Sequence, residues 1–275
     1  MRAASAVADT DELDGLRAVL EELGPVVVAF SGGADSAFLA FTATEVLGPE
    51  RVLCATAVSP SLAPDELTDC RALAAEWGLR LHEVATTELD DPAYVRNDAE
   101  RCAHCKGALL DALVPMARAS SATVVLGVNT DDLVDHRPGQ RVAAERGARF
   151  PLVEAGLSKD DVRRLSRRLG LRTWDKPAAA CLASRLPHGT PVTMSVLSAV
   201  AAAESALRAL GLRQLRVRHY GELARVELDD AELEGAVERR AEVVAAVRGA
   251  GYRYVTLDLE GFRSGNLNPR SGGDA

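Results

Sequence analysis

The chain has 275 residues, 47% of them hydrophobic, enough for one large domain or two moderate ones around a buried core. A formal charge of −8 with only 4% aromatic residues gives neither the basic stripe nor the stacking side chains of a nucleic-acid binder, so a small-molecule substrate is expected. No apolar run approaches the length of a membrane span, and the opening stretch MRAASAVADTDELDGL turns acidic where a secretory leader would be apolar, which predicts a cytoplasmic protein without a membrane anchor.

In chain order, the first half alternates short β-branched runs with longer amphipathic segments. PVVVAF at 25–30 predicts a strand, 36–47 a helix, RVLCATAV at 51–58 a strand, 64–77 a helix and LRLHEVAT at 79–86 a strand. A helical stretch around residues 101–106 and a fully apolar strand, TVVLGV at 123–128, continue the pattern. Ser158 and Asp161 suit a capping box for a helix ending near Gly170. Repeated βα units predict an α/β domain with a doubly wound parallel sheet over residues 1–175. Residues 176–192 carry three prolines (177, 187 and 191) and no period, which predicts an ordered loop and linker. Beyond it a long Ala-rich helix to Gly211, a hairpin-like pair LRQLRVRHYGELARVEL, a helix over about 230–248 and a strand in YRYVTLDLEG predict a smaller C-terminal α+β domain over 193–270. Residues 271–275 read as a disordered tail.

The first strand runs directly into SGGADS, residues 31–36, and then into a helix. Two glycines let backbone approach a ligand closely, and a helix N-terminus presents amides with the positive end of its dipole, so an anion is expected. The stretch lacks the GK[ST] of a Walker loop and the third glycine of a dinucleotide fingerprint. It is similar to the pyrophosphate loop, or PP-loop, of enzymes that cleave ATP between its α and β phosphates. Ser31, Gly32, Gly33, Asp35 and Ser36 would then hold the leaving pyrophosphate, with Mg2+ sharing its charge. A tight turn capped by Asp35 and Ser36 is the bland alternative.

Five cysteines, Cys54, Cys70, Cys102, Cys105 and Cys181, form an odd and sparse set that disfavours structural disulfides and favours metal or catalytic uses. Cys54 and Cys70 fall in a predicted strand and helix and are assigned to the core. The pair in RCAHCK, residues 101–106, is compatible with a zinc site completed by His104 or His188, a redox pair, an iron–sulfur site or simple packing, and spacing alone does not rank these.

Three stretches together, AFSGGADS, GVNTDDLVDHRPG at 127–139 and PAAACLASRLPHGT at 177–190, make the chain resemble the LarE-type sulfurtransferases, which build the nickel-pincer nucleotide cofactor. RVRHYGELARVEL and VTLDLEGFRSGNLN extend the resemblance over nearly the whole chain. The resemblance implies a two-domain enzyme that adenylates the carboxylates of a pyridinium-3,5-dicarboxylate mononucleotide with ATP and replaces oxygen by sulfur. In some members one cysteine, here Cys181, gives up its own sulfur and is left as dehydroalanine. In others a CxxC pair joins it to bind a 4Fe–4S cluster that delivers sulfide, and by that analogy Cys102, Cys105 and Cys181 are expected to be cluster ligands. The family is oligomeric, so a homo-oligomer is expected.

Further candidates are Asn129, Asp131, Asp132, Asp135 and Arg137 after the fourth strand, at the carboxyl edge where doubly wound folds bind ligands. Asn129 and Asp132 are assigned to ATP and Asp132 also to a divalent ion; solvated loop acids capping a helix are the alternative. Arg216 and Arg218 share one strand face, as do Arg225 and Glu227 on the adjoining strand. The family pattern makes Arg216 and Arg218, with Ser184 and Arg185 beside Cys181, contacts for the substrate phosphate. Glu227, with Glu204, is a candidate metal ligand in the second domain. Outside the leading reading stand an amidating synthetase of the same loop family, a transfer-RNA thiolase and a non-catalytic ATP sensor.

Overall fold

The structure is a computed structural model that describes residues 2–133, 138–177 and 180–263, with side chains from residue 12 onward. In chain order its elements are α1 (Arg2–Leu23), β1 (Val26–Ala29), α2 (Ala34–Leu47), β2 (Val52–Val58), α3 (Pro64–Trp77), β3 (Leu81–Ala85), α4 (Pro92–Val95), α5 (Arg101–Ala119), β4 (Thr123–Leu126), α6 (Pro138–Glu145), α7 (Pro151–Glu154) and α8 (Lys159–Arg168). There follow α9 (Met194–Ala209), β5 (Leu215–Tyr220), β6 (Leu223–Leu228), α10 (Asp230–Glu238), α11 (Arg240–Gly249) and β7 (Tyr254–Leu257), with short 3-10 turns between some of these. The chain divides into two compact units. One comprises residues 1–59, 65–88 and 102–179, and the other residues 60–64, 89–101 and 180–275.

In the first unit four parallel strands lie in the order β3-β2-β1-β4. Val26 of β1 pairs with Val52 on one side and Thr123 on the other. Because side chains alternate, β1 feeds two cores. Val26 and Val28 pack with Leu16 and Leu20 of α1, Phe38 and Leu39 of α2, Leu73 of α3 and Leu165 of α8. Val27 packs on the opposite face with Leu110 and Leu113 of α5, Val124 and Leu126 of β4 and Ala143 of α6. Burial on both faces explains why β1 is apolar throughout, and it makes the sheet doubly wound, as the βα pattern predicts. Strand order reverses between β1 and β4, and that switch point is where open sheets of this class leave a crevice for ligands.

Helix α8 carries the expected capping box, with the Ser158 side chain accepting from the Asp161 amide and Asp161 accepting from the Ser158 amide. Helix α1 is an addition to the sequence reading. Its Leu13, Leu16 and Leu20, at helical spacing, are buried.

In the second unit β5 and β6 are antiparallel and β7 joins β6 in parallel, giving the order β5-β6-β7. Leu215, Val217, Ala224, Val226 and Leu228 pack with Ala203 and Leu207 of α9 and Val243 and Val247 of α11. The single helix expected over 230–248 is two helices. Arg239 leaves helical geometry at φ −95° and ψ 23°, and its guanidinium bonds the Leu210 carbonyl and Glu242. The segments 60–64 and 89–101, which carry no sequence signal of a change of unit, pack with the second. Asp135, Arg137 and the tail 271–275 lie outside the described residues.

Candidate functional site

The SGGADS stretch is the turn from β1 into α2. Gly32 has φ 67°, a left-handed conformation that glycine adopts without strain, and a Cβ there would lie 2.9 Å from the Cys70 sulfur. Gly33 is the N-cap of α2 with no side chain to occupy the first-turn amides. The Ser36 hydroxyl accepts from the Ser31 amide at 3.2 Å, lies 3.0 Å from the Ser31 hydroxyl and donates to the Gly33 carbonyl. A glycine at 127, just past β4, makes this junction possible, since a Cβ there would meet the Ser36 nitrogen at 2.7 Å and the Asp35 carbonyl carbon at 2.8 Å.

Asp35 carries the anionic charge of the loop. The Asn129 side-chain amide donates to its Oδ1 at 3.1 Å, and the Lys159 ammonium ion-pairs with its Oδ2. Asn129 in turn accepts from the Asp131 and Asp132 amides, while Asp132 accepts from the Asn129 amide. Asp131 accepts from the backbone amide of Lys159 at 2.7 Å. The sequence-expected ATP set is therefore brought together within one unit, and Asp131 and Asp132 also do the capping work of the bland reading. Lys159 was missed by sequence reasoning; its position directly after the capping Ser158 was the available signal.

A second lysine braces the loop. Lys176 donates to the Gly32 carbonyl at 3.1 Å, to Glu66 at 2.9 Å and to Asp69 at 2.7 Å. Burial opposes its charge, but the Asp69 and Glu66 carboxylates more than offset this and hold the ammonium above its ordinary value. Cys70 is fully buried, and burial pushes its thiol up to about 11; Cys54 is buried likewise, at about 12. Both are core residues, as expected.

Cys102 and Cys105 occupy the first turn of α5, exposed and half-buried respectively, and three residues apart they share a helix face. Burial lowers the Lys106 ammonium, while Cys105 and then Cys102 act on it in the opposite sense. Gly139 of α6 approaches the same turn closely, with a Cβ there lying 3.1 Å from the Cys102 carbonyl oxygen. These residues belong to the first unit, and half-buried Cys181 belongs to the second. Among the described residues no group of three His, Cys, Asp or Glu side chains is poised to hold a metal ion.

The backbone of the Cys181 loop is held by guanidinium groups. Arg185 Nη1 donates to the Ala180 and Cys181 carbonyls and to the Ser184 hydroxyl, and Ser184 Oγ donates to the Cys181 carbonyl at 2.7 Å. Arg218 Nη1 donates to the Ser184 carbonyl at 3.0 Å, and Arg101 Nη1 to the Ala183 carbonyl at 2.8 Å. Arg185 also forks onto Glu204, which accepts Arg208 and the Val217 amide as well. Burial works against the Glu204 charge, but Arg185 and its neighbours hold the carboxyl below its usual range. Glu227 is likewise filled, by Arg218 on one oxygen and Arg225 on the other.

The phosphate candidates Ser184, Arg185, Arg216 and Arg218 thus cluster in one unit, with Arg216 opposite Glu227 and Arg218 opposite Arg225 across the hairpin. They are not equivalent. Arg185 and Arg218 are 2% and 5% exposed and forked onto carboxylates, whereas Arg216 is more open, donates to its neighbouring Leu215 carbonyl and lies 5.1 Å from the Phe262 ring centroid. Burial and then the like charge of Arg185 push Arg216 down to about 10. A guanidinium placed against such a field favours an incoming anion. Asp132 and Glu227, the two divalent-ion candidates, lie in different units.

Residues 11–106 match the family described as NAD synthase. The chain is 45% identical over 260 residues to an uncharacterized protein of Synechocystis sp., a match covering 94% of this chain and 97% of that one. It is 37% identical over 254 residues to the pyridinium-3,5-bisthiocarboxylic acid mononucleotide synthase of Lactiplantibacillus plantarum, covering 92% of each. A protein of Methanocaldococcus jannaschii, also uncharacterized, is 26% identical over 240 residues, covering 87% of this chain and 91% of that one.

Proposed function

The chain belongs to the LarE-type sulfurtransferases, a PP-loop family of ATP-using enzymes, and from that premise we propose that it converts a pyridinium-3,5-dicarboxylate mononucleotide into its thiocarboxylate, the precursor of the nickel-pincer cofactor. A substrate carboxylate oxygen attacks the α-phosphorus of ATP, the α–β bridging P–O bond breaks, and pyrophosphate leaves with the electron pair. The amides at Gly33–Ser36, the Ser31 and Ser36 hydroxyls and Lys159 supply its counter-charge and hydrogen bonds. Asp35 and Asp132 are the proposed carboxylates for Mg2+ that arrives with the nucleotide. Sulfur then attacks the acyl carbon of the adenylate and AMP leaves with the oxygen. Two rounds, one at each carboxylate, give the bis-thiocarboxylate.

The observation that carries this reading is the Ser31–Ser36 junction, where a glycine N-cap and paired hydroxyls face the helix dipole with Asp35 neutralised by Lys159. The arginine-held loop presenting Cys181 supports a sulfur role for that thiol. In the sacrificial route the Cys181 thiolate becomes an acyl thioester; removal of its Cα proton and cleavage of the Cβ–S bond release the thiocarboxylate and leave dehydroalanine. A 4Fe–4S cluster is proposed on Cys102 and Cys105, which share a face of α5, with Cys181 as its third thiolate. Arg216 is the proposed contact for the substrate phosphate, with Ser184, Arg185 and Arg218 shaping its surroundings. A cytoplasmic homo-oligomer without nucleic-acid partners completes the proposal; among the described residues no helix is long and apolar enough to cross a membrane.

Incubation with ATP, Mg2+, the dicarboxylate mononucleotide and sulfide under reducing conditions tests the reading. The nucleotide should gain the mass difference between sulfur and oxygen at each exchange while AMP and pyrophosphate appear; AMP release with no mass gain would overturn it. The match of residues 11–106 to the NAD synthase family favours one second reading, an amidating synthetase. That enzyme would take ammonia in place of sulfide and would be unaffected by Cys181→Ala.

A further inference from the structure

The loop that carries Cys181 is fixed by a buried hydrogen-bonded constellation that extends well beyond its own arginines. Asn97 is fully buried with φ 58°, a left-handed conformation that asparagine adopts more readily than most residues. Its amide donates to the Pro187 carbonyl at 2.8 Å and to the Thr190 carbonyl at 2.9 Å, and its own carbonyl accepts from the Gly189 amide. Its side-chain oxygen accepts from Arg101 Nη1 at 2.5 Å, and the same nitrogen donates to the Ala183 carbonyl. On the other flank the Leu182 amide donates to the Ser61 carbonyl, and the Ser61 hydroxyl lies 2.5 Å from Tyr94 OH. Every one of these residues belongs to the second unit.

Two sequence adjacencies make this more than packing. Ala183 is two residues after Cys181, and Arg101 is the first residue of α5, immediately before Cys102. One buried guanidinium therefore clamps the Cys181 loop while its own backbone begins the helix that bears the CxxC pair. An apolar residue could fill the space at Arg101, but it could not donate to the Asn97 side chain and the Ala183 carbonyl, acceptors on separate segments.

We propose that Arg101, held in register by Asn97, is a positioning residue for the sulfur-transfer step, fixing the Cys181 loop without touching the nucleotide. The inference rests on the reading that Cys181 takes part in sulfur transfer. It predicts that loss of the clamp separates the two half-reactions. Arg101→Met should keep the first-turnover burst of substrate-dependent pyrophosphate within about twofold of wild type and lose about tenfold or more in thiocarboxylate formation and the AMP release coupled to it, since small misplacements of a reacting group cost rates of that order.

The test uses the full chain and three readouts. The first-turnover pyrophosphate burst and nucleotide mass gain are followed in wild type, Arg101→Met and Arg101→Lys, and the rate of Cys181 alkylation by iodoacetamide is followed peptide by peptide without any substrate. The expected result is a retained pyrophosphate burst, depressed sulfur transfer partly restored in Arg101→Lys, and a Cys181 alkylation rate changed about threefold or more in Arg101→Met, as a released loop would give. Unchanged sulfur transfer together with unchanged alkylation overturns the proposal. So does a parallel fall of both half-reactions in Arg101→Met and Arg101→Lys, which marks Arg101 as a general stability residue. If wild type itself transfers no sulfur, the proposed reaction fails, and the alkylation comparison still decides whether Arg101 positions the thiol.

Discussion

Lys176 donates a hydrogen bond to the carbonyl oxygen of Gly32, 144 residues earlier in the chain, and stands five residues before Cys181. The contact matters because Gly32 lies in the turn proposed to bind pyrophosphate, so the lysine ties that turn to Glu66 and Asp69. Glu66 and Asp69 fix the ammonium, and Arg172 shares Asp69. Lys176→Met should remove the brace and leave Glu66 without its cation. The expected outcome is a KM for ATP raised about tenfold, as for loss of one charge-assisted bond, with a lowered melting temperature. ATP titration of pyrophosphate release measures it, and an unchanged KM would show that the turn holds its shape alone.

Gly127→Ala probes the opposite wall of the same turn. The new methyl would lie under 3 Å from the backbone of Asp35 and Ser36, atoms that cannot swing aside as a side-chain end can. Overpacking of this kind costs about 1–3 kcal/mol and moves backbone. The variant should fold, with reduced denaturant midpoint, and lose AMP formation. Gly235→Ala, where nothing lies within 4 Å of the added Cβ, is the control that should keep full activity.

Glu204 ties Arg185 and Arg208 to the Val217 amide, so its carboxyl reports on the whole base of the Cys181 loop. Its folded pKa lies below the ordinary 4.5, so its contribution to stability is present above pH 4.5 and is lost as pH falls through the lower folded value. Glu204→Gln leaves buried guanidinium charge uncompensated and should cost about 3–5 kcal/mol near neutrality. The difference from wild type should shrink below pH 4.5 as the wild-type carboxyl protonates. Urea unfolding at a series of pH values provides the comparison, and a difference that stays constant down to the acid limit would contradict the assignment.

Arg216 is expected to bind the substrate phosphate, and its depressed pKa of about 10 gives the contact a pH signature. Arg216→Ala should raise KM for the dicarboxylate mononucleotide about tenfold to a hundredfold and leave KM for ATP unchanged. In wild type, affinity for the mononucleotide should fall as pH rises through about 10. An equal rise in both KM values would place the nucleotide phosphate elsewhere.

The parts of this molecule legible in the sequence are those whose physics is local. The apolar run of β1, the Ser158–Asp161 box and the glycines of SGGADS each announce themselves within a few residues, and the alternation in LRVRHY correctly puts Arg216 and Arg218 on one face. The partners of those arginines were not legible. Glu204 looks like any helix glutamate until the fold brings Arg185 to it, and Glu227 looks like a metal ligand until Arg218 and Arg225 fill its oxygens. Lys159 and Lys176 reach the loop across 124 and 144 residues, distances over which no spacing rule operates. Residues 89–101 join the second unit through the side chains of Asn97 and Arg101, a choice made by hydrogen bonds rather than by hydrophobic period.

The three candidate thiols can be asked whether they act as one unit. Groups that work together are strongly non-additive when removed, whereas independent groups multiply their effects. If Cys102, Cys105 and Cys181 serve one sulfur-delivering centre, Cys105→Ser and Cys181→Ala should each abolish repeated turnover with sulfide, and the double variant should be no worse than the weaker single one. If Cys181 is a lone sacrificial donor, Cys105→Ser should perform as wild type, and Cys181 should lose the mass of hydrogen sulfide after a single round. Cys102 and Cys105, three residues apart on α5, share a helix face, a pairing for which a lone donor at Cys181 has no use. The expected outcome is therefore the non-additive one, with protein purified without oxygen carrying iron that Cys105→Ser lacks, and iron-free wild-type protein that still consumes Cys181 would reverse it.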